Sequence, residues 1–194
     1  RNFCDYQITK NNNKIINFLK KNLFYSILDS HLNKVNKSII NFDSTSFFTN
    51  NYIHEPISLT KKINIFLKKN NSHIGIGLYQ EKRNVYQGSN YVSQLNSNKR
   101  RDTHVGIDIF TNAGENIRAP MDGKVYILKD NAFKYDYGPT IILEHKIDKL
   151  VKFYTIYGHL SKKCLKDLSL GQKIKKGDII AQIGNYPING NWPP

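Results

Sequence analysis

Cysteine is nearly absent from this chain. Cys4 and Cys164 stand far apart, and neither has a CxxC spacing. That excludes a disulfide framework and a thiolate metal site as organising features. Cys164, which follows Lys162-Lys163, reads as a plain structural thiol. Also lacking is any apolar run near the ~18 residues that a membrane span needs. No secretory signal is visible. The chain opens at Arg1 rather than Met, so it reads as part of something longer, and the missing leader decides nothing about compartment. Acidic residues are scarce: 15 Asp and Glu face 29 Lys and Arg, a net charge of +14. The first hundred residues hold 15 basic and 5 acidic groups, the remainder 14 and 10. Such an excess can draw an anionic partner. However, no basic stripe interleaved with stacking aromatics accompanies it, so no nucleic-acid partner is expected.

What is present is enough apolar and aromatic material, 39% and 12% of 194 residues, for a packed, strand-rich core. Ile16, Leu19, Leu23, Ile27 and Leu28 recur every three or four residues, which predicts an amphipathic helix between residues 11 and 37. Ile39 to Phe42 predicts a strand. Pro56 and Ser58 open a second helix, with Leu59, Ile63, Phe66 and Leu67 on one face and a basic last turn. Ile74 to Tyr79 predicts a strand with residues 83–86 as its hairpin partner. Residues 89–101 read as a linker. His31, His54 and His73 have no ligand spacing and read as structural or surface groups.

From Arg101 onward, short apolar runs alternate with turn signals such as Asp122-Gly123. The runs at 105–110, 117–120, 124–128, 140–145, 151–157 and 179–183, with a short strand between Gly171 and Gly177, predict an antiparallel β sheet or sandwich. The expected organisation is a helical and α/β connector over residues 1–98, then a mainly β domain over 99–194.

One stretch carries chemistry. His104-Val-Gly-Ile-Asp108 places an imidazole and a carboxylate four residues apart, both suitable ligands for zinc. On a straight strand they would lie roughly 13 Å apart, at about 3.3 Å per residue. To meet one ion, each must come within about 2 Å of it. The chain therefore has to curl, and Gly106 permits a curl at low steric cost.

The second half holds further segments in a set order: Ala119-Pro-Met-Asp-Gly-Lys-Val125, Ile141-Ile-Leu-Glu-His145, Tyr157-Gly-His-Leu-Ser161, Gly171-Gln-Lys-Ile-Lys-Lys-Gly177 and Ile180-Ala-Gln-Ile-Gly184. With His104 and Asp108 they resemble the lysostaphin-type (LytM-like) zinc metallopeptidases, glycyl-glycine endopeptidases with an antiparallel sheet and a groove. The resemblance implies Zn2+ as cofactor and His104 and Asp108 as ligands. It implies His159 as a catalytic histidine beside them, and peptidoglycan or a related short peptide as substrate. Tyr157, on the strand leading to His159, is a candidate groove residue, with a core role as its plainer reading. His145 reads as structural. The third ligand of that family lies in a late His-x-His, and none occurs here. The chain stops at Asn189-Gly-Asn-Trp-Pro-Pro194, where the pair is expected to begin. The expectation is therefore a truncated domain that binds zinc weakly and hydrolyses nothing measurable.

Ile74 to Arg83 and the closing residues also resemble a narrower group, in which such a domain lies between a kinase-like domain and an aminotransferase. A cell-wall enzyme would be extracellular or periplasmic, a member of that fusion cytoplasmic. Two other readings compete: a non-catalytic, peptidase-like scaffold, and a lipoyl or biotinyl carrier suggested by residues 171–181. A carrier needs an exposed lysine at a hairpin tip, and none is evident.

Overall fold

Alternating side chains decide the architecture of the second half. A computed structural model describes residues 3–30, 32, 34–43, 48, 56–83 and 102–194. In it β5 (Gly123–Asn131), β6 (Gly138–Lys146) and β7 (Lys152–Tyr157) form an antiparallel meander, and β8 (Lys173–Ile174) extends it on the β5 edge. Val125, Ile141, Leu143 and Tyr157 turn inward. A second, two-stranded sheet of β4 (Asn116–Arg118) and β9 (Ile179–Gln182) supplies Ile117, Ile180 and Ala181 to the same core. This is the expected mainly β, antiparallel fold.

The connection after β7 contains a single helical turn, α3 (Cys164–Asp167), where no helix is expected from the sequence. Four residues are too few for periodicity to show. Buried Cys164 and Leu168 anchor the turn, and the Cys164 thiol meets the Ser161 carbonyl at 3.1 Å. Burial pushes that thiol up to about 11, so it stays protonated and structural.

The first half is α/β. Helix α1 (Phe3–Lys21) ends well before the predicted stretch does. Asn22 closes it by turning its own amide back to the Phe18 carbonyl at 2.7 Å. Ile27 and Leu28 then leave the helical pattern because a sheet edge claims them. Arg118 N–H donates to the Ile27 carbonyl at 2.8 Å, Leu28 bridges Ile117, and Leu28 is 1% exposed inside the main core. Helix α2 (Pro56–Lys69) follows its predicted stripe, burying Leu59, Ile63 and Leu67. With Ile40, Phe42, Phe48 and Phe110 they form a second core.

The remaining sheet joins the two halves. β1 (Lys37–Ile39) runs parallel to β2 (Ile74–Gly77), and β2 pairs antiparallel with β3 (Asp108–Phe110). β2 is thus flanked by β1 and β3. Residues 84–86, the whole linker stretch 89–101, His31 and His54 lie outside the described residues. His73 is exposed. Among the described residues no helix is long and apolar enough to cross a membrane.

Candidate metal centre

The predicted strand over 105–110 begins only at Asp108. Upstream, Thr103 bridges Lys82 and the chain bends at Gly106. Val105 and Ile107 point to solvent, while His104 and Asp108 turn toward each other. His104 Nε2 lies 3.3 Å from Asp108 Oδ1. Gly106 is not in the left-handed region. What it supplies is room, because a Cβ there would sit 3.3 Å from His104 Nε2.

Hydrogen bonding fixes the imidazole. His104 Nδ1 lies 2.9 Å from the Leu78 carbonyl, and a carbonyl only accepts, so Nδ1 carries the hydrogen. In the neutral ring Nε2 is then a lone pair aimed at a carboxylate oxygen. Two such groups repel unless a proton or a cation stands between them. Donors each about 2.0–2.1 Å from a tetrahedral zinc lie roughly 3.3 Å apart, which is the spacing found. The pair therefore fits two corners of a zinc site.

Asp108 is also held from the far side. Arg83 Nη1 donates to its Oδ2 at 2.6 Å. Burial opposes the charge, but His104, donating from Nε2 when its ring carries both hydrogens, and the Arg83 guanidinium outweigh it and lower the carboxyl below its ordinary value. Asp108 is thus ionised at neutral pH.

His159 follows β7 with φ of 58°. Its Nδ1 donates to the Asn189 carbonyl at 2.8 Å, and its backbone N–H to the Tyr137 carbonyl at 2.6 Å. Tyr137 stacks on the ring at 5.8 Å between centroids, and Trp192 meets it edge-on at 6.2 Å. Burial lowers its pKa, partly offset by the Asn189 bond and by the Asp108 and Asp136 carboxylates. It is a neutral imidazole with Nε2 as its free acceptor, in the electrostatic neighbourhood of the pair.

Tyr157 lies 8% exposed in the main core, its hydroxyl 3.1 Å from Thr155 Oγ1. His145 is enclosed: Nδ1 meets the Asp122 carbonyl at 2.7 Å and Nε2 the Thr155 hydroxyl at 2.8 Å. Neither nitrogen is left for a metal. Among the described residues no group of three or more His, Cys, Asp or Glu could hold an ion. Arg83, Leu78 and Asn189 escaped the sequence reading. Two of them act through backbone carbonyls, which carry no residue signature.

Residues 102–191 match peptidase family M23. No curated protein matches the chain significantly. Among solved structures the chain is similar to a protein assigned to peptidase M23 from Pseudomonas aeruginosa, at 28% identity over 41% of this chain and 30% of that one, TM-score 0.32. It is also similar to a zinc-containing peptidase from Vibrio cholerae, at 23% identity over 53% and 31%, TM-score 0.34. A third is Csd3 from Helicobacter pylori, at 22% over 51% and 27%, TM-score 0.31. The match spans less than a third of each of those chains.

Proposed function

We propose that the domain of peptidase family M23 formed by residues 102–191 is a zinc metallopeptidase domain, acting on peptidoglycan or related short peptides. His104 Nε2 and Asp108 Oδ1 would hold the ion. Bound there, zinc supplies Lewis-acid chemistry, polarising a carbonyl and acidifying water. His159 does the proton work: with Nδ1 committed to Asn189, its Nε2 accepts a proton from water and returns it to the departing amine. Tyr137 and Trp192 restrict the tilt of that ring. Tyr157, buried in the main core, packs beneath the sheet and lines no groove.

The observation that carries this reading is the facing of His104 Nε2 and Asp108 Oδ1 at 3.3 Å with the tautomer fixed. A catalytic zinc takes three protein ligands, and the described residues provide two. On this reading the 194 residues bind zinc only weakly. Calorimetric titration tests it: the expected result is weak binding that His104→Ala abolishes, and submicromolar affinity would refute the two-ligand account. In an active form carrying the third ligand, His159→Ala should remove peptide cleavage with metal still bound. Cleavage at the full rate would end its catalytic role.

The incomplete ligand set also favours a second reading, a non-catalytic scaffold of the same fold. The gene sequence beyond Pro194 discriminates: a His-x-His within about fifteen codons supports the enzyme, and its absence the scaffold.

A further inference from the structure

Asp108 has two carboxylate oxygens, and a shared ion needs only one. The other, Oδ2, is taken by Arg83 at 2.6 Å. Arg83 follows β2 and lies upstream of the family match at 102–191. It is 7% exposed, so this is no solvent-screened surface pair. The guanidinium is fixed on three sides. Its Nε donates to Glu81 Oε2 at 2.7 Å, and its plane lies 5.1 Å over the Phe42 ring. Glu81 is itself held, because its Oε1 accepts the Phe42 N–H at 2.7 Å.

The close approach needs Gly77. A Cβ there would stand 2.7 Å from Arg83 Nη2 and 3.0 Å from Asp108 Oδ2. The same strap, residues 77–83, also grips His104. The Leu78 carbonyl takes its ring N–H, the Glu81 carbonyl takes its backbone N–H at 2.9 Å, and Gln80 N–H donates to its carbonyl at 2.8 Å.

We propose that Arg83 is a positioning residue for the metal site: it locks the Asp108 carboxylate so that Oδ1 alone faces His104 Nε2. The inference rests on the zinc reading above. A carboxylate with one oxygen clamped by a fixed guanidinium presents the other in a single orientation. Without the clamp it rotates, and its two oxygens compete for the ion. Glu81 offsets the charge of Arg83, so the clamp orients Asp108 without cancelling its attraction for a cation. Lysine cannot replace it, because one ammonium on a flexible stem does not reproduce a planar fork reaching two carboxylates.

The 194-residue protein is titrated with Zn2+ by calorimetry and with Co2+ by visible absorption, as wild type, Arg83→Gln, Arg83→Lys and His104→Ala. The expected result is binding that depends on His104 and needs about 10–100-fold more metal in Arg83→Gln, the usual cost of losing a group that orients a ligand. Arg83→Lys should fall with Arg83→Gln, and both should change the cobalt spectrum at saturation. If Arg83→Gln fails to fold by circular dichroism, Arg83→Lys keeps the charge and carries the test. Wild-type affinity and spectrum in the Arg83 variants, with His104→Ala still abolishing binding, would overturn the positioning role and leave the zinc reading intact. Binding indifferent to His104 would overturn both.

Discussion

Backbone carbonyls set the protonation of three imidazoles. His104, His145 and His159 each direct Nδ1 at one, from Leu78, Asp122 and Asn189. Each Nδ1 must therefore donate, and each neutral ring presents Nε2 as an acceptor. The three then diverge by the surroundings of Nε2: a carboxylate at His104, a hydroxyl at His145, and at His159 the neighbourhood of the His104–Asp108 pair. His145 makes the simplest test. Burial lowers its pKa, only partly countered by the Asp122 bond. The unfolded chain therefore binds its proton more readily, and stability is full above about 6.5 and falls as pH drops through that value. The melting temperature should hold between pH 8 and 7 and fall between 6.5 and 5, before the carboxylates titrate. His145→Gln should lessen that fall, the remainder coming from His159, whose pKa burial also lowers; an undiminished fall would mean that His145 does not contribute. His104, Asp108 and His159 stood out as candidates because a His-x-Gly-x-Asp and a Gly-His-Leu-Ser are residue patterns. The carbonyls that orient them were not, since every residue has one. Arg83 was hidden differently: its partner lies twenty-five positions away across β2–β3 pairing, and nothing local marks the arginine.

At the scale of elements, legibility followed how local the forces are. Helix α2 was readable because one stripe, Leu59-Ile63-Leu67, meets one apolar surface. The stretch after α1 was not, because Ile27 and Leu28 fit a helical period but gain more as an edge partner of β4. Asp29 strengthens that choice by accepting from Asn116 at 2.8 Å and pairing with Arg118. The C-terminal segment was unreadable for a related reason, since it has no regular period. It wraps over the loop before β6: Tyr135 N–H donates to the Gly190 carbonyl at 2.8 Å, and Asn189, fully buried, bonds the Trp192 carbonyl at 2.8 Å. Gly190 is the tight point, with φ of 87° and no room for a side chain, since a Cβ would stand 1.9 Å from the Asp136 carbonyl oxygen. Gly190→Ala should therefore destabilise by more than about 1 kcal/mol, the cost of forcing a side chain into positive φ plus a clash. It should also shift the ring resonances of His159 in NMR spectra, because Asn189 moves with it. Unchanged stability and shifts would show that the wrap is not fixed there.

At the scale of the molecule, the question is whether the α/β half and the β half unfold together. Their cores are interleaved through the central three-stranded sheet. Ile74 of β2 and Leu28 belong to the main core, while Phe110 of β3 belongs to the core under α2. Trp192 closes the arrangement from the other end, packing against the α2 core and against His159 at 6.2 Å. A loss of packing beneath α2 is thus transmitted to the only tryptophan of the chain. Ile63 is 2% exposed at the centre of that packing, so Ile63→Ala should cost about 2–5 kcal/mol through lost burial and a residual cavity. Because the cores share strands, the urea midpoint read from Trp192 fluorescence should fall by as much as the midpoint read from helix ellipticity. The two curves should also coincide in wild type and variant alike. A Trp192 midpoint that ignores Ile63→Ala would show that the halves unfold independently.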